Sequence, residues 1–464
     1  NMPNSATAAN WVPLGPSGWN RTSGWNPGTG RLTTLAIHPS NEQVIYVGSP
    51  GGGIWKTSNG GTTWTGLTDN NASWMTVFAL CIDPVDQNIV YAGMANSVGI
   101  IKSTNGGTSW TAAGAGPSGT VRKIIVQPGA SNIVFAAASN GIWRSTNAGA
   151  SWTQVHSGSK EDIEFKPDNV NIMYASGSDV YRSADNGLSW TLVGVAQGIT
   201  NTGRTLVSVS PNNPNIVYAV QASGSLFGRM YRSTDAGLSF VTTVVGNPSS
   251  GTNYFGYPSN GTGTSGQATY DMAMDVSPTN ANDVYIAGII CWRSVNGGTS
   301  FSPLTEWFLP NSLGYNHADV HGLFWVNSTI YSLSDGGIYK STDNGDNWTD
   351  LSPGLNIRQF YRMANSPLNP NIITGGAQDN GSVARQASGT WVDWLGADGM
   401  EGLVSPTDPL KIWGTSQNGA LYRSTNGGNS YTGLGQPSSG QWVTPLWIHP
   451  TNETILYGGW TGVY

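Results

Sequence analysis

The sequence predicts an all-β protein, a β-propeller of four-stranded blades. A ten-residue segment recurs eight times along the chain, and the apolar runs that precede it alternate with a period of two rather than with that of a helix. The 464 residues include 63 Gly and 20 Trp but only 10% charged residues, a composition typical of turn-rich β proteins. Repeats of this kind predict propeller blades, which stack around a central axis.

The repeated segment starts with an aromatic or aliphatic residue followed by Lys or Arg, and it ends on an aromatic residue. Its copies are WKTSNGGTTW (55–64), IKSTNGGTSW (101–110), WRSTNAGASW (143–152), YRSADNGLSW (181–190), YRSTDAGLSF (231–240), WRSVNGGTSF (292–301), YKSTDNGDNW (339–348) and YRSTNGGNSY (422–431). A ninth, degenerate copy lies at SVARQASGTW (382–391). Each blade is therefore expected to contain three strands before a hairpin that leads into the fourth.

The hairpin has a local chemical explanation. Its Asn or Asp can accept a backbone N–H in an Asx-turn, and the Gly two residues later supplies a positive φ. We therefore expect a structural role for the residues at this position, which are Asn59, Asn105, Asn147, Asp185, Asp235, Asn296, Asp343 and Asn426.

This motif is the Asp-box (bacterial neuraminidase) repeat. The chain resembles the Asp-box propellers, among them the sortilin-type Vps10 domains, the secreted bacterial Vps10-like proteins and, more distantly, the two-propeller xyloglucanases. The resemblance covers nearly the whole chain. It implies the fold far more strongly than a function, since one scaffold can host many sites.

The blade count follows from the repeats. Nine repeats occupy residues 30–431, residues 442–464 supply three strands of a tenth blade, and NWVPLG (10–15) supplies a closing strand. We therefore expect one domain over residues 1–464, a ring of about ten blades as in sortilin-type domains, closed by pairing of 10–15 with 442–464. The alternative is part of a tandem of seven-bladed propellers, as in the xyloglucanases.

Candidate binding residues gather on one face of this arrangement. Segments just before the first strand and just after the second strand of a blade surround the central funnel. From the seventh blade onwards these segments become rich in polar residues, in HADVHG (317–322), SLSDGG (332–337), GGAQDNGS (375–382) and GADGMEG (396–402). We predict a polar, ligand-binding pocket formed by His317, Asp319, His321, Asp335, Arg358, Gln378, Asp379, Asn380, Asp398 and Glu401.

His317, Asp319 and His321 have the alternation of a metal site. Residues i and i+2 of a strand share a face about 6.5–7 Å apart, so three ligands would span about 13 Å, too far for one ion on a straight strand. Two of them completed by Asp335 or Asp379 could bind a transition metal. Calcium held by loop carboxylates and carbonyls, or a hydrogen-bonded network without metal, are the alternatives. No other cofactor is expected.

Asp335, Asp379 and Asp398 are the candidate catalytic residues, since glycosidases use paired carboxylates. The resemblance to xyloglucanases implies an acid in a first-blade segment of the type Asp-Ile-Gly-Gly-Ala-Tyr, but here that segment is SPGGGIWKTS (49–58). A similar pattern reappears at Ser334-Asp335-Gly-Gly-Ile-Tyr339. Because the first-blade acid is missing, we expect a binding or adhesion module rather than an enzyme, with a glycoside hydrolase as the alternative.

A sialidase is disfavoured. Four arginines near the starts of first strands could grip a carboxylate, as three arginines do in sialidases: Arg31, Arg122, Arg204 and Arg358. However, the Phe/Tyr-Arg-Ile-Pro motif of sialidases is absent, and sialidase propellers have six blades.

Charge and hydropathy narrow the partners. The net charge of −6 and the lack of a basic run argue against nucleic acid. No apolar run approaches the roughly 18 residues of a membrane helix. We therefore expect an extracellular or cell-surface protein that binds a glycan or an extracellular protein, and that could belong to a longer chain or a surface assembly.

Overall fold

The computed structural model describes residues 12–20, 26–95, 98–200, 202–308 and 313–464. Strands and turns make up these residues; they contain no α-helix, and their helical turns are short 3₁₀ segments at Ala72–Trp74, Val195–Gln197, Pro248–Ser250 and Gln417–Gly419. None of the described helices has the length and apolarity needed to cross a membrane.

Nine four-stranded antiparallel sheets follow one another, each with its strands paired in chain order. The first four sheets are Thr34–His38 (β1), Asn41–Ser49 (β2), Gly53–Thr57 (β3) and Thr65–Gly66 (β4); Val77–Ile82 (β5), Val90–Met94 (β6), Ile100–Ser103 (β7) and Thr111–Ala112 (β8); Val121–Val126 (β9), Val134–Ala138 (β10), Gly141–Ser145 (β11) and Thr153–Ser157 (β12); and Asp162–Lys166 (β13), Asn169–Ser176 (β14), Val180–Ser183 (β15) and Thr191–Val193 (β16).

The fifth, sixth and seventh sheets follow, with a short parallel pair of strands between the sixth and the seventh. They are Thr205–Val209 (β17), Val217–Ser223 (β18), Leu226–Ser233 (β19) and Val241–Val245 (β20); Ala273–Val276 (β21), Val284–Ala287 (β22), Cys291–Ser294 (β23) and Ser302–Pro303 (β24); the parallel pair Thr305–Glu306 (β25) and Gly314–Tyr315 (β26); and Val320–Val326 (β27), Thr329–Ser334 (β28), Gly337–Ser341 (β29) and Thr349–Asp350 (β30).

Two further four-stranded sheets and a two-stranded sheet complete the chain. They are Phe360–Asn365 (β31), Ile373–Ala377 (β32), Ser382–Arg385 (β33) and Trp391–Leu395 (β34); Gly399–Val404 (β35), Ile412–Ser416 (β36), Leu421–Ser424 (β37) and Thr432–Gly435 (β38); and Leu446–Ile448 (β39) with Leu456–Gly458 (β40). The all-β, four-stranded meanders agree with the predicted propeller blades.

The repeated segments form the hairpins between the third and fourth strands, with the expected turn chemistry. In the second sheet, Asn105 Oδ1 accepts the backbone N–H of Ser109 at 2.9 Å and the hydroxyl of Ser103 at 3.0 Å. Gly107, two residues after Asn105, has a φ of +88°, which L-residues with a side chain rarely adopt. The closing aromatic Trp110 is buried in the core shared by the first two sheets.

The first seven sheets form a closed cycle. Each neighbouring pair shares its own apolar core, and the cycle ends with a core shared by the seventh and first sheets, which contains Trp64, Tyr331, Leu333 and Leu351. Leu32 N donates to Ser334 O at 3.0 Å, and Trp64 Nε1 donates to Leu351 O at 2.8 Å across the same junction. Residues of all seven innermost strands line one central cavity of about 340 Å³.

This neighbour relation does not fit the predicted single ring of ten blades, in which the seventh sheet would lie between the sixth and the eighth. β27 lies beside β21 and β1, whereas the later sheets pack β31 against β35 and β35 against β39. Residues 10 and 11 of the predicted closing strand lie outside the described residues. Residues 12–15 are not in a strand, and Leu14 O accepts a hydrogen bond from Trp391 of the eighth sheet rather than from residues 442–464.

Candidate functional site

Five aspartates come together beside the central cavity. They belong to the segments that precede β21, β27 and β35 and to the turns that follow β28 and β32: Asp271, Asp319, Asp335, Asp379 and Asp398. We call this group the acid cluster. Nearest oxygen atoms of Asp319, Asp335 and Asp379 all lie within 4.8 Å of one another.

Close backbone packing places the turn that carries Asp335. A Cβ on Gly336 would lie 2.2 Å from His317 Cγ, and a Cβ on Gly28 would lie 2.5 Å from Gly336 Cα. Only glycine allows these three segments to approach so closely. Thr29 N donates to Gly336 O at 2.8 Å, which fixes the turn against the N-terminal segment.

Asp335 is almost completely buried but is held as a carboxylate. Tyr270 donates its hydroxyl to Asp335 Oδ2 at 2.7 Å, and His321 Nε2 lies 2.7 Å from Asp335 Oδ1. Arg31 Nε is 3.9 Å from the same Oδ1. Burial by itself raises the pKa of Asp335, but His321, Tyr270 and Arg31 outweigh it, so the pKa lies below its ordinary value.

Asp379 has the opposite character. Burial, the charges of Asp335 and Asp398, and a hydrogen bond with the Asp335 carboxylate raise its pKa to about 9, against the donation of the Gln378 amide at 2.9 Å. Its backbone N–H donates to Asp398 Oδ1 at 2.8 Å. Burial is also the largest cause that raises the pKa of Asp398. At neutral pH the cluster therefore pairs a protonated Asp379 with an ionised Asp335.

Asp319 and Asp271 extend the cluster towards the sixth sheet. Asp319 accepts the Gln267 amide at 2.8 Å, and burial with the charges of Asp335 and Asp398 raises its pKa to about 7. Asp271 is fully buried, and its carboxyl group shares a hydrogen bond with that of Asp319. Burial and the charge of Asp319 raise the pKa of Asp271 well above its ordinary value.

The two histidines of HADVHG have different partners. His317 is fully buried; its Nε2 lies 3.0 Å from Asp379 O and its Nδ1 3.1 Å from Ala318 O, so it braces the backbone. Asp319 has a φ of +64°, and β27 begins only at Val320, so His317 and Asp319 precede the strand. The geometry of a straight strand therefore does not apply to these three residues, because His321 alone of the three lies on β27.

The other predicted residues lie around or beside the cluster. Asn380 donates to Asp335 O at 3.0 Å and so joins the two turns. Buried Arg358 donates to Asn380 O at 3.1 Å, to Asp393 at 2.9 Å and to Gly28 O at 2.7 Å, and so acts as a backbone clamp. Glu401 lies on β35. Burial raises the pKa of Glu401, and the charge that opposes this rise is that of Arg362.

Asp319, Asp335 and Asp379 are also the residues that could hold a metal ion. Carboxylate oxygens suit a hard cation such as calcium, which takes about 6–8 oxygen ligands. Binding would require Asp319 and Asp379 to lose their protons, so cation affinity would rise with pH.

Sequence reasoning missed the contribution of the sixth sheet. Gln267, Tyr270 and Asp271 precede β21, in the same position relative to the first strand as HADVHG has in the seventh sheet. Their segment, QATYDM (267–272), is as polar as the segments from which the pocket was predicted, such as HADVHG (317–322). Asn26, whose amide donates to Asp379 O at 3.2 Å, had no repeat pattern to identify it.

Known proteins that this chain resembles include a glycoside hydrolase. No family model matches the chain. A xyloglucanase from Hypocrea jecorina (strain QM6a) is 24% identical over 497 aligned residues, which cover 93% of this chain and 57% of that protein. The chain thus spans little more than half the length of this relative.

Solved structures share the architecture at low identity. The GH74 xyloglucanase of Xanthomonas campestris superposes with a TM-score of 0.70 at 16% identity, covering 95% of this chain and 72% of that one. A GH74 enzyme of Niastella koreensis gives 0.57 at 17% identity, covering 94% and 77%. PorZ, a surface component of the type-IX secretion system of Porphyromonas gingivalis, gives 0.54 at 12%, covering 94% and 57%. These likenesses support the β-propeller fold.

The relatives correct one expectation. The predicted binding or adhesion module is contradicted, because the curated relative and both GH74 structures are glycoside hydrolases, which agrees with the stated alternative. The segment SPGGGIWKTS without an acid belongs to the first sheet, and the similar segment with Asp335 belongs to the seventh. The resemblance to sortilin-type domains stays a prediction.

Proposed function

We propose that this chain is a glycoside hydrolase, or the part of one that holds its acid cluster. The observation that supports it best is the opposite protonation of two touching side chains, Asp379 with a pKa of about 9 and Asp335 with a lowered pKa. A general acid must be protonated at the working pH while its partner carboxylate is ionised. Environments that separate two carboxyl pKa values in this way are typical of catalytic sites.

The proposed roles follow from those states. Asp379 donates its proton to the glycosidic oxygen as the bond to the leaving sugar breaks. Asp335, oriented by Tyr270 and His321, either takes a proton from the water molecule that attacks the anomeric carbon, or attacks that carbon itself to form a glycosyl ester that water then hydrolyses. Retaining glycosidases separate the two carboxyl groups by about 5–5.5 Å and inverting ones by about 6.5–9.5 Å. Asp335 and Asp379 hydrogen-bond to each other here, so an entering sugar must part them.

The substrate class is proposed from the relatives. Their names identify xyloglucan, a polysaccharide, as the substrate of those enzymes. A glycan is accordingly the partner we propose for this chain, and an extracellular or cell-surface location fits a polysaccharide substrate.

We also propose a division of the chain into two propellers. The cycle of shared cores supports one seven-bladed ring formed by the first seven sheets, residues 34–350, with a second propeller that begins in residues 360–458. A double-mutant cycle with Trp64→Ala and Leu351→Ala tests the closure. We expect a coupling free energy of about 0.5–3 kcal/mol, as for residues in contact. Additive effects would contradict closure between the first and seventh sheets.

The activity is tested by incubating the protein with xyloglucan, mixed-linkage β-glucan, xylan and pectin and measuring the release of reducing ends. We expect hydrolysis of at least one polysaccharide by the wild type. Asp379→Asn and Asp335→Asn each should reduce it by about 10²–10⁴-fold. The matched control Asp235→Asn changes an aspartate of a repeat hairpin and should leave the rate unchanged.

Two outcomes would contradict the proposal. The first is hydrolysis that survives both Asp379→Asn and Asp335→Asn. The second is the absence of hydrolysis together with tight calcium binding that Asp319→Asn and Asp379→Asn abolish, since the acids would then be cation ligands. Isothermal titration with calcium chloride at pH 8 measures the second.

A further inference from the structure

Three arginines line the central cavity, and one of them, Arg31, also reaches Asp335 of the acid cluster. Arg31 precedes β1, Arg122 lies on β9 and Arg204 precedes β17, so the guanidinium groups come from the first, third and fifth sheets. Their side chains remain 24%, 36% and 23% exposed, which leaves each accessible to a ligand.

Cationic side chains outnumber carboxylates in the lining of the central cavity, which holds Arg31, Arg122, Lys123 and Arg204 but only Glu161 and Asp162. Glu161 is the carboxylate that Arg122 and Arg204 share: Arg122 pairs with both of its oxygens, and Arg204 Nε lies 3.7 Å from Oε2. Arg31 has Asp335 as its carboxylate partner, with Arg31 Nε 3.9 Å from Asp335 Oδ1. The chain as a whole carries a net charge of −6, so this concentration of cations does not follow from composition. A cavity surrounded by guanidinium groups attracts anions.

The space around the arginines can accept a sugar. A second cavity of about 490 Å³ adjoins the central one and shares Arg122, Glu161, Arg204 and Thr269 with it. The exposed hydroxyl-bearing residues Ser157 and Ser159 line its outer side. Cavities of about 300–1,000 Å³ with a few fixed polar groups are typical small-ligand sites.

The geometry favours a carboxylate over other anions. Glu161 presents both of its oxygens to one nitrogen of Arg122, Nη1, and its Oε2 also faces Arg204, so the cavity already accommodates a planar carboxylate between two arginines. Arginine binds such acceptors through paired N–H groups, an arrangement that lysine cannot reproduce. A ligand carboxylate could share the three arginines with Glu161 or replace it.

A continuous chain of contacts joins this site to the acid cluster. Arg31 donates to the Tyr270 hydroxyl at 2.6 Å, its guanidinium lies 5.6 Å from the centre of the Tyr270 ring, and Tyr270 donates to Asp335 at 2.7 Å. A sugar held by the arginines would therefore lie next to the residues proposed to cleave the polysaccharide.

We infer that Arg31, Arg122 and Arg204 form a subsite for a carboxylated sugar, a uronic acid unit of the polysaccharide. The link to a polymer rests on the proposed hydrolase function, whereas binding of the acidic sugar does not. Neutral glycans such as xyloglucan offer no group for three guanidiniums, so an acidic polysaccharide is the fitting substrate.

Calorimetric titration of the Asp379→Asn variant tests the inference without turnover. The probes are a trimer of galacturonic acid, a trimer of glucuronic acid, and cellotriose as a neutral trimer of the same size. We expect at least one uronate trimer to bind at least tenfold more tightly than cellotriose. Arg122→Gln should remove at least tenfold of that affinity, and Arg122→Lys should restore only part of it.

Arg423→Gln is the matched control, because Arg423 is an exposed arginine on β37, in the ninth sheet. It should leave uronate affinity unchanged, and Glu161→Gln should raise the affinity by removing a competing carboxylate. Thermal melts of each variant show that the fold is retained. Equal affinity for uronates and cellotriose, uronate binding that is insensitive to Arg122→Gln, or tighter binding of a sulfated trimer would each overturn the inference.

The two proposals fail in different ways. Uronate binding that depends on Arg122 without hydrolysis of any polysaccharide would refute the hydrolase and leave the subsite. Hydrolysis of a neutral polysaccharide without uronate binding would refute the subsite and leave the hydrolase.

Discussion

Aspartates of the repeat hairpins and aspartates of the acid cluster have opposite environments within one molecule. Asp343 lies in an open hairpin, where the Asn347 amide, the Ser341 hydroxyl and the Asn347 backbone N–H lower its pKa to about 2. Asp379 is enclosed by other acids, and burial and their charges raise its pKa to about 9. The difference comes from the surroundings, since the side chain is the same.

The comparison shows what each region contributes. A solvent-exposed carboxylate that accepts three hydrogen bonds stabilises a turn. Asparagine occupies the same position in five of the eight hairpins. Several acids buried together instead cost free energy of folding, since the charged forms are poorly solvated and repel one another. An arrangement of that kind in a cleft is typical of functional sites.

The largest expected contrast is in catalysis. If Asp379 must be protonated and Asp335 ionised, kcat/KM should fall as the pH rises through about 9 and also fall at acid pH, where Asp335 gains a proton. The fall of kcat/KM at alkaline pH reflects the titration of the interacting carboxyl groups of the acid cluster as a group. Asp379→Asn should lower kcat/KM by about 10²–10⁴-fold and remove the alkaline limb.

The control for this measurement is Asp343→Asn, which should leave the pH–rate profile unchanged. A wild-type profile that shows no fall up to pH 10, or an Asp379→Asn profile that keeps the alkaline limb, would show that Asp379 is not the acid.

The second contrast is in stability, where the hairpins should matter more than the acids. Trp64 closes the first hairpin, is 9% exposed and donates to Leu351 O at 2.8 Å. Trp64→Ala should cost about 3–5 kcal/mol in the free energy of unfolding, because it leaves a cavity and an unpaired carbonyl. Chemical denaturation measures the loss.

Trp447→Ala provides the comparison, since Trp447 is 68% exposed and should change stability by less than about 1 kcal/mol. Equal effects of the two substitutions would show that the core between the first and seventh sheets is not formed.

The third contrast concerns the pH dependence of stability. The folded-state pKa of Asp379 is above its unfolded value of about 4, so its contribution to stability is fully present below pH 4 and is lost as the pH rises towards 9. Asp319 acts in the same direction up to about pH 7. Asp379→Asn removes the titrating group, so the variant should melt higher than the wild type at pH 9, by on the order of 5 °C, and should differ little at pH 5.

Differential scanning fluorimetry at pH 5, 7 and 9 follows this difference. A shift of the same size at all three pH values would mean that the burial of a charged Asp379 is not its cause.

The fold was largely predictable because its signals are local. An Asn or Asp, a glycine two residues later and a closing aromatic specify each hairpin within ten residues, as Asn105, Gly107 and Trp110 illustrate. Ring closure is not local. Whether Trp64 packs against Leu351 or against a later sheet depends on twist accumulated over seven sheets, which the repeats do not encode individually.

The site was predictable in position but not in chemistry. The place of Asp335 and Asp379 after second strands followed from blade order, and the structure brings them together. Their opposite pKa values depend on Tyr270 and His321, which hydrogen-bond to Asp335. His321 lies in the same sheet as the turn of Asp335, whereas Tyr270 reaches Asp335 from the segment before the sixth sheet. The spacing of residues within one repeat contains no information about contacts between two different repeats.

The smallest expected effect is that of Asp343→Asn on stability. The lowered pKa of Asp343 means that its contribution is present above its unfolded pKa of about 4 and is lost as the pH falls through about 2. Asn can accept the same N–H of residue 347 and is the residue found in five of the eight hairpins. At pH 7 the variant should therefore match the wild type within about 0.5 kcal/mol in the free energy of unfolding.

Between pH 4 and pH 2 the wild type alone should lose this contribution, and the loss should shrink in high salt because the Asp343 carboxylate is open to solvent. Urea denaturation at pH 7, 4 and 2 measures both differences. A destabilisation of several kcal/mol at pH 7 would mean that the hairpin carboxylates do more than asparagine can, and the contrast between the two groups of aspartates would lose its basis.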